Sequence, residues 1–309
     1  MISSIFEKTK PINYIAVILL LLVMVVLAIS FSSLEVLKSI TYLDITINFV
    51  ILLISVLLLA FLFYKNKLTN HTTYAVAIYV LLIGCFPEVM VNREILIANL
   101  LFILGARRLL SLHSLKSVKA KIFDSFLLIG IGAFVYHWGV LLLLMCYITI
   151  VLYDAKDIRN WLIPLVVFGL LYLGYVLYQF YIIKDCVIVF TLPEDLKVVT
   201  FGFPKYNRVI NYISIGYILP VGVFGMLSYL ASFQSKSISF QKPYWFLTFL
   251  FVLSIFLQIV DATNKSVVIF TFFPLVVFIA LLIEKQEKKH FKELLLWPLL
   301  LLAVLSLVL

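Results

Sequence analysis

The chain of 309 residues is 64% hydrophobic and only 13% charged, with a mean hydropathy of +1.18. A water-soluble domain of that length needs far more polar surface, so the composition places the chain in a membrane. Its net charge of +9 is spread over short loops between apolar runs, which reads as a topology signal and not as a nucleic-acid surface.

The runs are continuously apolar rather than alternating, which argues against a β-barrel. They predict an all-α, polytopic transmembrane helix bundle in a single integral membrane domain over residues 1–309, since in lipid each segment must satisfy its own backbone. Lys8 and Lys10 precede a first run, Tyr14–Phe31. That pattern is shared with signal peptides, and 28-AIS-30 would serve for cleavage, but the run is long enough to span and is read as a retained helix. Then come Thr46–Tyr64, Thr73–Phe86, Ile95–Leu110, Ile122–Leu152, Trp161–Ile183, Val209–Phe233, Tyr244–Val260, Val267–Ile283 and Lys292–Leu309. A crossing takes about 20 residues. Thr73–Phe86 and Ile95–Leu110 are short, which fits tilted, neighbour-buried or re-entrant segments.

Ile122–Leu152 is the reverse, with 31 residues. Basic residues collect on the cytoplasmic side of membrane proteins, and this decides how the run is read. If it doubles back near His137 and the N-terminus is cytoplasmic, 17 of the 24 Lys and Arg fall inside and 7 outside. If it crosses once, the split is 14 to 10. The stronger bias favours a broken or hairpin pair at 122–152. The bundle then has about 10–11 membrane segments in a bacterial inner membrane, with the N-terminus cytoplasmic and the C-terminus periplasmic.

In this orientation the inner loops are basic and the mixed chemistry is outside. Residues 32–45 hold Glu35, Lys38 and Asp44; 87-PEVMVNRE-94 holds Glu88, Asn92, Arg93 and Glu94. The hairpin tip holds Tyr136, His137 and Trp138, and the long connection 184–207 leads through Lys205 to Arg208. The turn 261-DATNKS-266 adds Asp261, Asn264 and Lys265. Charged groups at helix ends need partners or water, so an outward cavity rimmed by these loops is expected.

Each residue carries a plain and a functional reading. Arg93 is either an interfacial cation paired with Glu88 or Glu94, or a bidentate clamp for phosphate. His137 beside Trp138 is either a solvated turn or a general base working near neutral pH. Lys205 and Arg208 either flank an aromatic interfacial segment or touch lipid phosphates. Asp261 or Asn264 is expected to cap the next helix. Glu35 is a solvated loop carboxylate or a base. Cys85, Cys146 and Cys186 have no metal-ligand spacing, and neither phosphate loops nor HExxH nor GxSxG is present.

The stretch 92-NREILIANLLFILGARRLL-110, its basic loop and 122-IFDSFLLIGIGAFVYHWGVLLLL-144 resemble the middle of the EpsG-like and Wzy-like polymerases of bacterial polysaccharides. There an Arg opens a helix, a basic loop follows, and an apolar helix runs into a His. Glu94 stands where Gln is common, Trp138 adjoins the His, and about 55 residues are covered. The chain as a whole is similar to uncharacterised membrane proteins of Bacteroidetes.

The resemblance implies a C-type glycosyltransferase or glycan polymerase acting on an undecaprenyl-diphosphate-linked sugar at the outer face. Arg93 would bind the diphosphate, with Lys205, Arg208 and Trp138 as further substrate contacts. His137 would be base or donor, and Glu35 or Glu94 a second acid–base group. No metal and no cofactor is demanded, and membrane lipid is the expected surrounding partner. Two other classes compete: a non-enzymatic subunit bound to a membrane-protein partner in an envelope assembly or secretion machine, and a transporter. Few polar groups fall mid-membrane (Asn99, Gln179 and Gln258) and no repeat is visible, which weighs against the transporter.

Overall fold

The computed structural model describes residues 6–7, 9–31, 41–70, 72–153, 157–178, 180–181, 202, 204, 206, 208–231 and 238–308. Among them are eleven α-helices: α1 (Pro11–Phe31), α2 (Tyr42–Lys65), α3 (Tyr74–Cys85), α4 (Arg93–Leu110), α5 (Val118–Val135), α6 (Leu144–Leu152), α7 (Ile158–Tyr178), α8 (Val209–Leu230), α9 (Ile238–Val260), α10 (Ile269–Lys285) and α11 (Lys289–Val308). Eight helices are long and apolar enough to cross a membrane, and the shorter Tyr74–Cys85 and His137–Leu152 are apolar too. The chain is thus a multi-spanning, all-α membrane protein.

The shortness of the third apolar run has a packing reason. Every residue of α3 is buried, and α10 is buried from Ile269 through Ala280. These two helices form the axis of the bundle, joined by edge-on contact of Tyr79 with Phe272, at 6.2 Å between ring centroids. The others surround them, and α7 lies outermost, with one apolar face after another left to lipid. Lipid tails are as apolar as leucine, so close fit rather than exclusion from water holds such helices together. Small residues therefore mark the tightest approaches. A Cβ on Gly225 of α8 would lie 2.6 Å from the backbone oxygen of Phe278 in α10. One on Gly105 of α4 would lie 2.6 Å from Cγ1 of Ile129 in α5.

The long run 122–152 is broken as its length requires. Helix α5 ends at Val135, and Tyr136 takes an extended conformation (φ −127°, ψ 103°). A 3-10 turn, His137–Leu143, leads into α6. The tip is tight: Gly139 donates from its N–H to the Tyr136 carbonyl at 2.8 Å, and a Cβ there would meet Ala133 Cα at 3.4 Å. Both outer ends of the pair return to one level. Lys121 lines a cavity with Pro243 and Tyr244, and Tyr153 lies under the ammonium of neighbouring Lys242.

That level is the N-terminal end of the bundle. Phe6 accepts at its carbonyl from Thr73 N–H, Glu7 pairs with Lys292 at 3.1 Å, Asn70 N–H donates to Glu284, and Tyr244 donates to the Leu68 carbonyl. The opposite, C-terminal end gathers residues 41–48, 86–93, 136–139, 206, 208–211 and 261–268. Where their residues are described, the loops sorted by charge into two groups thus sit at two ends.

Candidate functional site

At the C-terminal end, Arg93 is held at the first position of α4. Asn92 caps this helix, its Oδ1 accepting from Ile95 N–H at 3.3 Å. Asn48 of α2 donates from Nδ2 to the carbonyls of Met90 (2.9 Å) and Val91 (3.3 Å), which fixes the preceding turn. The guanidinium pairs with Asp44 in the first turn of α2, not with Glu88 or Glu94 as the sequence led one to expect. Arg93 remains 40% exposed, while its Nε is buried without a partner among the described residues. Glu94 is exposed.

His137 lies on the neighbouring element. Helices α4 and α5 run antiparallel, with Gly132 against Ala98 and Leu101, and Gly105 against Ser125 and Ile129. Carried one turn further, this register sets Glu94 beside Tyr136. Arg93 and His137 therefore share a level, and His137 and Trp138 are half-buried there. Tyr136 is buried, stacks on Phe270 at 5.8 Å and donates its hydroxyl to Asp261 at 2.7 Å; Thr263 donates to the other oxygen of Asp261 at 2.8 Å. Asp261 is accordingly a tie between the hairpin tip and the α9–α10 turn, not a helix cap. The cap is Asn264, which accepts from Ser266 N–H. Arg208 donates from Nη1 to the Ser306 carbonyl at 2.6 Å, a cation covering the last turn of α11. Glu35 and Lys205 lie outside the described residues, as do Cys186 and Gln179.

Reading the sequence undervalued Glu88. It sits in the turn Pro87–Met90 and accepts from Asn211 Nδ2 at 2.7 Å, while its backbone carbonyl accepts from Ser266 Oγ at 2.8 Å. Its second carboxylate oxygen is buried and has no partner among the described residues, as have Asn211 Oδ1 and the Tyr206 hydroxyl. Burial pushes the Tyr206 phenol above its ordinary range, helped by the Glu88 charge and then Tyr212. The available signal was Asn211 inside 209-VINYISIG-216, a polar residue in an apolar run that has to find a partner.

A cavity of about 510 Å³ opens at the other end. It is lined by Lys65, Lys67, Arg107, Arg108, His113 and Lys121, together with Asn66, Ser111, Ser114 and Tyr244. Lys121 donates to the Ser111 carbonyl at 2.6 Å and to Ser114 Oγ at 2.7 Å, which draws the α4–α5 loop over the cavity. Arg108 pairs with Asp124 at 3.1 Å. Arg107 lies over the Phe61 ring at 4.7 Å, and Lys65 lies over the same ring at 5.5 Å. The sequence assigned these cations only an orienting role, because residues from α2, α4, α5 and α9 are needed to form one wall.

Compared with protein families, curated proteins and solved structures, the chain has no significant match in any of the three.

Proposed function

We propose that the chain is an enzyme of lipid-linked glycan assembly, a glycan polymerase or glycosyltransferase of the C type, working at its C-terminal end. One observation carries this reading: Arg93 keeps a buried Nε with no partner among the described residues and a partly exposed fork on the level of His137. A guanidinium so placed suits the charge that grows on a diphosphate leaving group, and a donor held in position before the reaction is an electrostatic aid to such a step. In this reading the acceptor sugar hydroxyl attacks the anomeric carbon of the donor. The bond to the diphosphate breaks, the diphosphate leaves on its lipid with Arg93 against it, and the hydroxyl proton passes to a base.

His137 is the base on this level, and Glu88 is the carboxylate with a spare buried oxygen. Asp44 holds the Arg93 fork, so it is a positioning residue. The orientation that goes with this function puts the C-terminal end outside the cytoplasm, as the charge bias of the loops favours.

The test is chain extension by the purified protein in a bilayer supplied with polyprenyl-diphosphate-linked oligosaccharide. A ladder of longer products is expected, reduced at least about a hundredfold in Arg93→Gln and His137→Ala and retained in Lys119→Gln. Absence of extension across donors of several repeat structures would sink the proposal.

A further inference from the structure

We propose that the basic cavity at the N-terminal end is a binding site for a phosphate-bearing anion, separate from the site around Arg93. Three observations meet there. The first is charge. Lys65, Lys67, Arg107, Arg108 and Lys121 are basic side chains on one wall, with His113 beside them, and among the described residues only Arg108 has a carboxylate partner, Asp124. Helix dipoles account for Lys65, Arg107 and Arg108, which lie in the last turns of α2 and α4. They do not account for Lys67, His113 or Lys121. Lys121, one residue ahead of the apolar run, has its ammonium pushed below the ordinary lysine range by burial, then by the charges of Arg108 and Lys65. Cations that repel one another across a cavity are a site awaiting a multivalent anion.

The second is shape. The volume, about 510 Å³, lies within the range of small-molecule sites, and Asn66, Ser111, Ser114 and Tyr244 supply neutral polar atoms among the cations. A phosphomonoester or diphosphate matches this set, since Arg offers a two-pronged fork and Lys a point charge.

The third is backbone strain. Three described residues other than glycine have positive φ: Lys67 (51°), Leu115 (50°) and Ser117 (49°). Lys67 lines the cavity, and the other two shape the loop whose Ser111, His113 and Ser114 also line it. Left-handed conformations persist where surroundings over-determine them, and they gather at ligand clamps. A merely orienting cluster of loop cations requires none of this.

The phosphate comes either on a lipid headgroup at the membrane surface or free in solution, and the experiment separates the two. The full chain is placed in phosphatidylcholine nanodiscs and titrated with inorganic pyrophosphate at constant ionic strength, with thermal unfolding as the readout. A parallel series replaces part of the phosphatidylcholine by phosphatidylglycerol. A saturable rise in unfolding temperature with pyrophosphate identifies a soluble anion; a rise only with phosphatidylglycerol identifies a lipid-borne one. In either case Lys67→Gln and Arg107→Gln weaken the response on the order of tenfold, while Lys119→Gln, an equal charge loss on the exposed side of α5, leaves it nearly unchanged. A wild-type chain that responds to neither, or a Lys119→Gln loss as large as that of the cavity variants, overturns the proposal. Both outcomes are independent of whether the chain extends glycans.

Discussion

The two ends of the bundle handle polar groups in opposite ways. At the C-terminal end most of them are consumed in ties between helices: Arg93 to Asp44, Asn48 to the Met90 carbonyl, Asn211 to Glu88, Tyr136 to Asp261, Arg208 to the Ser306 carbonyl. The N-terminal end has ties too, Glu7 to Lys292 and Asn70 to Glu284, but of the cations that face its cavity only Arg108 has a carboxylate partner among the described residues. The first arrangement fixes geometry, because each buried partner left alone is costly. The second leaves interaction energy unspent until an anion arrives. Pairing therefore says little about which end does chemistry; the informative atoms are those left buried without a partner among the described residues, Arg93 Nε and one Glu88 oxygen together with Asn48 Oδ1, Asn211 Oδ1 and the Tyr206 hydroxyl.

The contrast predicts large stability effects at one end and small ones at the other. The largest belongs to Tyr136→Phe. The ring would still stack on Phe270, but Asp261, itself buried, would lose its hydroxyl donor and keep only Thr263. The expected loss is about 1.5–3 kcal/mol in chemical unfolding of the detergent-solubilised protein. An unchanged midpoint would show that the hairpin tip is not tied to the α9–α10 turn.

Asn211→Leu comes next. It fits the apolar surroundings of α8 but takes the donor from Glu88, whose two oxygens would then both lack partners among the described residues. A loss of about 1–3 kcal/mol is expected, softened because Glu88 is only half-buried. Glu88→Gln in the same background should recover part of it, since an amide is less costly than an unpaired carboxylate.

These two residues also show where the sequence was legible. Apolar continuity gave the class, the run length set Thr73–Phe86 apart as short while leaving open whether it was tilted, neighbour-buried or re-entrant, and the charge count favoured the fold-back at 122–152. All three are properties of one segment at a time. The ties were not legible, because each joins residues far apart in the chain: Asp44 to Arg93 across 49 positions, Tyr136 to Asp261 across 125. For Arg93 the sequence offered Glu88 and Glu94, which are near in number, whereas helix packing supplied Asp44. The basic cavity was hidden for the same reason: its cations stood in the count as separate loops, and only the packing of four helices made them one wall.

Arg93→Gln sharpens the comparison from the other side. The pair with Asp44 is partly exposed, and such pairs contribute little to stability. The variant should unfold with nearly the wild-type midpoint while losing glycan extension. Arg93→Lys should not restore extension, because the donors of an ammonium all sit on one nitrogen and lack the planar fork that reaches Asp44 on one side and a leaving-group oxygen on the other. Rescue by lysine would reduce Arg93 to a plain positive charge.

The smallest stability effect is expected at Lys67→Gln. This side chain is exposed, has no partner among the described residues, and is drawn into a left-handed conformation at the end of α2. In anion-free buffer its removal should change stability by no more than about 0.5 kcal/mol. It should even stabilise slightly, because Lys65, Arg107 and Arg108 lose a like-charged neighbour on the cavity wall. With pyrophosphate or anionic lipid present the sign reverses, since the wild type gains from the ligand and the variant gains less. Such a crossover between two conditions cannot come from a lysine whose work ends with setting topology. If the two unfolding curves shift in parallel instead, the N-terminal end holds loop charges only, and the difference between the ends is one of orientation in the membrane.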